Sequence, residues 1–242
     1  MVIAIIFVIH WYLSLFFQTI FLHRYASHQM FTMSKFWEKV FFFLTFLVQG
    51  SSFLNPRAYA ILHRLHHKHS DTEKDPHSPK FSKNIIMLNI NTVKHYESIR
   101  RNKKDYSKYD YNVPRWEPLE KFSDHWITRV FFMAFYTLVY VTYSTSAWQY
   151  MLLPIHFVMG PLHGSIVNWC GHRYGYVNHK KTNDKSKNTL PFDFLMMGEL
   201  FQNNHHWKPK SINFSSRWFE IDPGFLITKI LNKINMIRLN NG

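Results

Sequence analysis

Two long stretches of the chain carry no charged side chain, and they limit the folds available to it. Residues 1–22 contain no Lys, Arg, Asp or Glu, and neither do the 42 residues from Val130 to Gly171. At about 1.5 Å of rise per residue, a helix in the first stretch can cross a hydrocarbon core of about 30 Å once, and the second stretch can cross it twice. The polar run 144–146 would form the turn between those two crossings.

The basic residues predict on which side of the membrane each polar region lies. All 29 Lys and Arg fall between Arg24 and Arg129 or between Arg173 and Arg238. Because cytoplasmic loops carry the excess of positive charge, we expect regions 23–124 and 172–242 to be cytoplasmic and the N-terminus to lie outside. This bias and attraction to anionic lipid headgroups account for the formal charge of +14. No nucleic-acid motif accompanies the charge, so we expect no nucleic-acid partner.

The pattern predicts an all-α integral membrane protein with a single domain over residues 1–242. We expect transmembrane helices at about 2–22, 127–143 and 149–171. The apolar segment 36–54 is marginal in length for a further crossing. A crossing there would put the histidines before and after it on opposite sides of the membrane. We therefore interpret it as an interfacial or re-entrant helix, beneath a cytoplasmic helical cap.

Eight histidines lie in short clusters beside the apolar stretches, at spacings that suit metal binding. The clusters are HRYASH from His23 to His28, HRLHH from His63 to His67, the single His172, and QNNHH from Gln202 to His206. Residues i, i+3 and i+4 share one face of a helix, so the side chains of each HxxHH-type segment should point the same way. Asn168 and His172 form another such pair. Eight imidazoles exceed the four ligands of a closed zinc site, so two metal ions are the natural number.

The flanking residues add two expectations about these clusters. His23 and His28 lie about 140° apart on an α-helix, so the helix should end between them. Asp71, Asp75 and Glu199 are placed to accept hydrogen bonds from ligand imidazoles and so to fix their tautomers. The alternative for each carboxylate is a solvated loop charge or a helix cap.

Two further histidines, His156 and His163, lie within the third predicted span. An ionisable residue inside a membrane is a functional candidate. A plainer role is a hydrogen bond to backbone carbonyls that Pro161 leaves free. The sequence does not decide between the two.

Nitrogen-rich coordination at a membrane face fits iron, copper or zinc. Hydrolysis by zinc normally needs a carboxylate base among few ligands, and the clusters contain no carboxylate. Two irons would instead suit O2-dependent attack on the C–H bonds of acyl chains, alkanes or sterols, which arrive through the membrane. The sequence has no Gly-rich dinucleotide loop and no haem-attachment motif, so electrons must come from another protein.

The motifs HRYASH, HRLHHKHSDTEKDPHS, NWCGHRYGY and GELFQNNHH together resemble those of the membrane fatty acid desaturases, closest to the acyl-CoA (stearoyl-CoA, delta-9) type. The resemblance extends from about Trp11 to Phe219. It implies an O2-dependent enzyme with two iron ions (Fe2+) that introduces a cis double bond into a saturated acyl chain. The substrate would be acyl-CoA or another acyl carrier. The electron donor would be a ferredoxin or a b-type cytochrome with its reductase. A di-iron hydroxylase of alkanes or sterols and a non-enzymatic membrane metal-binding protein are the alternatives.

The resemblance also implies the role of individual residues. The iron ligands would be His23, His28, His63, His66, His67, His172, His205 and His206. Gln202 stands where the family usually has His and would be a further ligand, and Asn168 would hold an iron-bound water. One iron would be bound by His23, His28, His63, His67 and His206. The other would be bound by His66, His172, Gln202 and His205.

The first span is the expected end wall of the substrate tunnel. Trp11, Leu15 and Thr19 lie four residues apart and so share one helix face. In the acyl-CoA desaturases that this chain resembles, this helix closes the far end of the tunnel. These three residues are therefore predicted to contact the acyl chain, the alternative for Trp11 being ordinary packing against lipid.

Overall fold

The computed structural model describes residues 1–240, which are mostly helical. The α-helices are α1 (Val2–Phe17), α2 (Lys35–Gln49), α3 (Pro56–His69), α4 (Ile85–Arg100), α5 (Glu117–Asp124), α6 (Trp126–Tyr143), α7 (Leu153–Phe157), α8 (Met159–Arg173), α9 (Gln202–Trp207) and α10 (Pro223–Lys233). Strands β1 (Phe31–Thr32) and β2 (Arg238–Leu239) pair antiparallel. The last two residues of the predicted cytoplasmic region 172–242 lie outside the described residues.

Helix α1 continues without a break into a π-helical segment, Gln18–Ser27. The helix ends at Ser27, between His23 and His28 as predicted, although its last turns are π-helical rather than α-helical. In a π-helix each N–H bonds to the carbonyl five residues earlier, and the N–H of His28 donates to the His23 carbonyl at 3.1 Å. This wider turn brings residues five apart onto one side of the helix. Both imidazoles consequently face the same centre.

Two helices are long and apolar enough to cross a membrane, Val2–Ser27 and Trp126–Tyr143. They agree with the first two predicted spans. The third predicted span, 149–171, is not a straight helix, because the segments Ala147–Phe157 and Met159–Arg173 meet at an angle of 81°. The described part of the chain therefore has two candidate spans, or three if the bent pair counts as one.

Pro161 explains the bend, because it has no N–H to donate to the carbonyl of Phe157. That carbonyl instead accepts a hydrogen bond from the hydroxyl of Ser51 at 3.1 Å, and the hydroxyl of Ser52 accepts one from the N–H of Gly160 at 3.0 Å. The expectation that His156 or His163 bonds the freed carbonyls is wrong. Serines from the 3-10 turn Gly50–Ser52, which follows α2, bond the open backbone instead.

The segment that holds these serines agrees only in part with the helix predicted over residues 36–54. Helix α2 begins at a Ser34 cap and ends at Gln49, and a single 3-10 turn follows. Gly50 has φ +50°, and a Cβ there would lie 2.1 Å from the Tyr136 hydroxyl on α6. The chain can therefore turn tightly against α6 only with glycine at this position. At 15 residues, α2 is not among the candidate spans.

His156 belongs to a hydrogen-bond chain that joins four elements within the apolar region. The Val48 carbonyl lies 2.7 Å from His10 Nε2, so that nitrogen carries the hydrogen. His10 Nδ1 then accepts from His156 Nδ1 at 2.6 Å, and the Tyr140 hydroxyl donates to His156 Nε2 at 2.9 Å. With both imidazoles neutral, every polar atom of the two rings is paired. The chain links α1, α2, α6 and α7.

Candidate metal centre

Four separate segments bring all eight motif histidines together. The π-helical segment supplies His23 and His28, α3 supplies three, and α8 and α9 supply the remainder. Helix α3 starts at Asn55, whose side chain accepts from the N–H of Ala58, with Pro56 at the first position. Both features favour helix initiation at this point. The point at which α3 begins fixes which of its turns carry the histidines, and those turns face the other segments.

Buried arginines fix the positions of these segments, and the sequence analysis did not identify them. Arg64 on α3 donates to the carbonyls of Ala26 and Ser27 at 2.8 and 2.9 Å, which ties α3 to the end of the π-helical segment. Arg24 donates to both carboxylate oxygens of Asp222 at 3.0 and 3.2 Å. The one available signal was that each arginine directly follows the first histidine of its motif.

The first group is a five-histidine cluster made of His23, His28, His63, His67 and His205. The Nε2 atoms of neighbouring members lie 2.7 to 3.1 Å apart. Burial lowers the pKa of His63, His67 and His205 well below the usual value, and the neighbouring imidazoles lower it further. The rings are therefore neutral at pH 7 and have lone pairs available for a metal.

The spacing of these nitrogens also fits a metal ion. A metal–imidazole bond is about 2.0–2.1 Å long, so two ligands at a right angle lie about 3 Å apart. Five nitrogens at such separations match five positions around one ion. The residues present thus suit a metal better than they suit mutual hydrogen bonding, in which lone pairs would have to face each other.

The second group is a three-histidine cluster made of His66, His172 and His206. Each Nδ1 lies close to its own carboxylate, at 3.0 Å from Asp75, 2.8 Å from Asp71 and 2.5 Å from Asp184. All three Nε2 atoms are buried, with no hydrogen-bond partner among residues 1–240. The carboxylates hold the hydrogen on Nδ1, so the Nε2 lone pairs are free to bind a metal.

The resemblance implied that His206 belongs to the first group and His205 to the second, and the structure has the opposite arrangement. His205 lies with the first group and His206 with the second. Neighbouring residues on a helix point about 100° apart, so adjacent histidines on α9 face different clusters. On α3, His66 lies in the second group while His63 and His67 lie in the first, so this one helix supplies both clusters.

The expected carboxylate contacts are confirmed. Asp71 and Asp75 contact His172 and His66, and Glu199 Oε2 lies 2.6 Å from His23 Nδ1. Burial alone would raise the pKa of Asp75, but the His66 imidazole outweighs it and holds that pKa below the usual range.

Asp184 completes the set of carboxylates, and sequence reasoning missed it. Burial opposes its ionised form, yet contact with His206 keeps the pKa of Asp184 below its usual value. The residue stands in a lysine-rich loop without helical periodicity. No local signal could have assigned it to the centre.

Three other polar residues adjoin the clusters. Gln202 is buried, and its amide donates to the Glu199 carbonyl at 2.7 Å. The Asn168 amide donates to the Gly164 carbonyl at 2.8 Å. The predicted roles of Gln202 and Asn168 at iron remain predictions. His77, which the sequence analysis did not include, is buried with its ring centroid 4.4 Å from that of His66.

Two cavities meet the histidine centre. The larger, of about 400 Å³, has His63, His77 and Asn168 in its wall together with residues of α4 and α8. Charged residues of its wall include Glu97, Arg100, Arg101, Asp124 and Arg129. A cavity of this size is typical of a small-molecule site.

The smaller cavity, of about 30 Å³, shares Gln18, His63 and Asn168 with the wall of the larger one. Leu15 and Thr19 line it, next to His23 and His63. Trp11 lines neither cavity, because its indole N–H donates to the Leu195 carbonyl at 3.2 Å and its ring packs against His163. The structure therefore brings two of the three predicted tunnel residues to the centre. Their contact with substrate remains a prediction.

Two or three candidate spans, together with two buried imidazole clusters, indicate a membrane protein with a candidate two-metal centre. The family model for fatty acid desaturases matches residues 1–220. The chain therefore belongs to the fatty acid desaturase family.

Curated relatives agree with this assignment. The chain is 27% identical over 225 residues to an sn-1 stearoyl-lipid 9-desaturase of Synechocystis sp., with 89% of this chain and 64% of the relative covered. It is 28% identical over 208 residues to the delta-9 desaturase-like 2 protein of Arabidopsis thaliana, covering 83% of this chain and 64% of the relative. An acyl-CoA 5-desaturase of Anemone leveillei is 27% identical over 222 residues, covering 88% and 64%. The chain thus spans 64% of the length of these relatives.

Proposed function

We propose that this chain is an O2-dependent di-iron fatty acyl desaturase that introduces a cis double bond into a saturated acyl chain. The observation that carries the proposal is the pair of buried imidazole clusters beside a cavity of about 400 Å³. When bound, two irons would supply the O2 chemistry that breaks unactivated C–H bonds. Family membership supports desaturation over the hydroxylase and the non-enzymatic alternatives.

The residues of the chain have separate roles in this proposal. The five-histidine cluster would hold one iron. The three-histidine cluster would hold the other, with Gln202 as a further ligand, and Asn168 would hold a water at the centre. Asp71, Asp75, Asp184 and Glu199 orient the imidazoles. The large cavity would bind the acyl chain, exclude bulk water and present one C–C bond to the centre.

The carrier of the acyl chain belongs to the same proposal. We favour acyl-CoA and take a lipid-linked acyl chain as the second candidate, since the similar relatives include one enzyme named for acyl-CoA and four named for stearoyl-lipid or acyl-lipid substrates. Arginines in the wall of the large cavity suit an anionic carrier, although Glu97 and Asp124 pair with Arg100. Electrons would come from a ferredoxin or a b-type cytochrome with its reductase.

The proposed location is a bilayer, with the centre on the cytoplasmic side. The support is the absence of Lys and Arg from residues 1–22 and 130–171. Single cysteines near residues 30, 75, 110 and 190 should then be labelled from the cytoplasm, and one at Ser146 from outside. Labelling of residues 30 and 75 from opposite sides would show that α2 crosses the membrane.

Expression in a desaturase-deficient host tests the activity directly. Total fatty acids, analysed by mass spectrometry, should contain a new monounsaturated species, and its fragmentation gives the bond position. The matched control is His95→Ala, an exposed histidine on α4 outside the clusters, which should give the same product. A hydroxylated product would favour the hydroxylase instead. No new product from a well-expressed, iron-loaded protein would contradict both enzyme proposals.

A further inference from the structure

His163 on α8 is fully buried, and neither of its ring nitrogens has a hydrogen-bond partner among residues 1–240. An imidazole in either neutral tautomer has one N–H donor and one acceptor nitrogen. Burying both without partners is unfavourable. His156, on the preceding segment of the same bent pair, has both nitrogens paired. His163 therefore lacks partners that its neighbour has.

The small cavity of about 30 Å³ lies directly against this imidazole. Its wall also includes Gln18, whose Oε1 is a second buried polar atom without a partner. By the same measure of volume, a cavity needs roughly 10–15 Å³ and two to four polar partners to hold a water molecule. The cavity satisfies both requirements. It is too small for more than a short piece of an acyl chain.

We infer that this cavity is a buried water site, and that His163 and Gln18 hold ordered water there against His23 and His63 of the five-histidine cluster. His163 is a positioning residue in this arrangement, because it acts through the water. A hydrogen-bonded water is the ligand that suits one unpaired acceptor oxygen and an imidazole that both donates and accepts. Apolar groups would leave all of these atoms unpaired.

The inference rests on the proposed function for its consequence in turnover. Desaturation takes two hydrogen atoms from the acyl chain, two electrons from a reduced electron-carrier protein and two protons from solution, and O2 becomes two waters. The ordered water gives the solution protons a hydrogen-bonded approach to the centre. Without it, the same two electrons and two protons can convert O2 to H2O2 and leave the acyl chain saturated.

Two substitutions separate this role from a purely structural one. His163→Leu fills the space and removes both hydrogen-bonding atoms, whereas His163→Gln keeps a donor and an acceptor. We expect the Leu variant to lose about tenfold in desaturation per O2 consumed and to release H2O2. The Gln variant should recover most of the coupling. Iron content should equal that of the wild type in both, and His95→Leu serves as the control for loss of an exposed histidine.

A second measurement does not depend on turnover. A cryo-EM or crystal map of the zinc-substituted protein should show solvent density between His163 and Gln18 Oε1 in the wild type and in His163→Gln, but not in His163→Leu. A wild-type map that shows other buried waters but none here would overturn the proposal. So would full coupling in His163→Leu, or equal impairment of the Gln and Leu variants. If the wild type neither desaturates nor binds iron, the proposed function fails, while the map still decides the water site.

Discussion

The two histidine clusters differ in how the protein holds them. In the three-histidine cluster every Nδ1 is paired with its own carboxylate, and the Nε2 atoms are free. In the five-histidine cluster, among the described residues, only His23 has a carboxylate at its Nδ1, and neighbouring Nε2 atoms lie within 3.1 Å of each other. The five-histidine cluster thus depends on the number of its imidazoles. The three-histidine cluster depends on the orientation and polarisation of a few.

This contrast has consequences for charge and for access. Three carboxylates surround the smaller cluster and offset the charge of a bound cation, while neutral rings dominate the larger one. Fewer protein ligands also leave more positions open for water, O2 or substrate. We therefore expect the three-histidine cluster to bind its metal more weakly and to be more sensitive to its carboxylates.

The largest expected effect comes from removing one ligand of each cluster. His66→Ala leaves two imidazoles in the smaller cluster, so iron should fall from two to about one per chain. His205→Ala leaves four in the larger cluster and should retain more iron. Desaturation should fall by more than about 100-fold in both, since loss of a carboxylate partner alone commonly costs 10–100-fold. Metal analysis and product analysis give the two readouts, with membrane insertion as the check on folding.

His95→Ala is the matched control for these ligand variants, because it lies outside both clusters. Zinc without iron in the wild type, together with full activity in both ligand variants, would rule out the di-iron assignment. Equal iron loss in His66→Ala and His205→Ala would remove the contrast between the clusters.

The carboxylates test the contrast with a smaller expected effect. Asp184→Asn keeps an acceptor for His206 but removes its charge, so metal affinity of the smaller cluster should fall about 10–100-fold. Glu199→Gln should weaken the larger cluster less, because four of its five imidazoles do not contact Glu199. Iron titration of the purified apo-proteins measures both. A larger loss for Glu199→Gln than for Asp184→Asn would reverse the proposed difference.

Gln202 tests how complete the smaller cluster is. An amide oxygen is a weaker ligand than imidazole for these metals, so Gln202→His should tighten metal binding and keep substantial activity. Gln202→Ala should lose most of the activity, by about tenfold or more. Asn203→Ala, next along α9 and outside the clusters, controls for disturbance of the helix. Wild-type activity in Gln202→Ala would show that the residue takes no part in binding.

The smallest expected effect concerns the wall beside the larger cluster. If Leu15 ends the tunnel, Leu15→Gly should join the small cavity to the substrate site and shift the preference toward longer acyl chains by about one or two carbons, at about 0.8 kcal/mol per buried methylene. Trp11→Ala should change the profile less, because Trp11 lines neither cavity. Bond position counted from the carboxyl end should not change. Product profiles identical to that of the wild type would remove this wall from the tunnel.

A residue of the centre could be predicted from the sequence only where the signal for it lies in the neighbouring residues. The clustered histidines and Asp71, Asp75 and Glu199 could be identified because each lies within or next to a motif. The site of Asp184 could not, because only the folded loop brings it to His206.

The backbone shows the same limit. The assumption of a regular α-helix put His23 and His28 about 140° apart, whereas the π-helical segment turns both toward one cluster, and a π-helical turn leaves no compositional trace. The assignment of His205 and His206 to clusters depends on helix rotation relative to its neighbours, which one sequence does not specify. Pro161 indicated that backbone groups would be left free in the third span, but neither the 81° bend nor the serines that bond those groups.

Those serines also bear on how the protein is made. A helix broken inside a bilayer exposes backbone groups that lipid cannot pair. Ser51 and Ser52 precede Phe157 and Gly160 by more than 100 residues, and domains form from the N-terminus during synthesis. Their hydroxyls are therefore in the growing chain before the broken helix leaves the ribosome. Because the two serines are synthesised first, the bent segment can pack against a surface that has already formed.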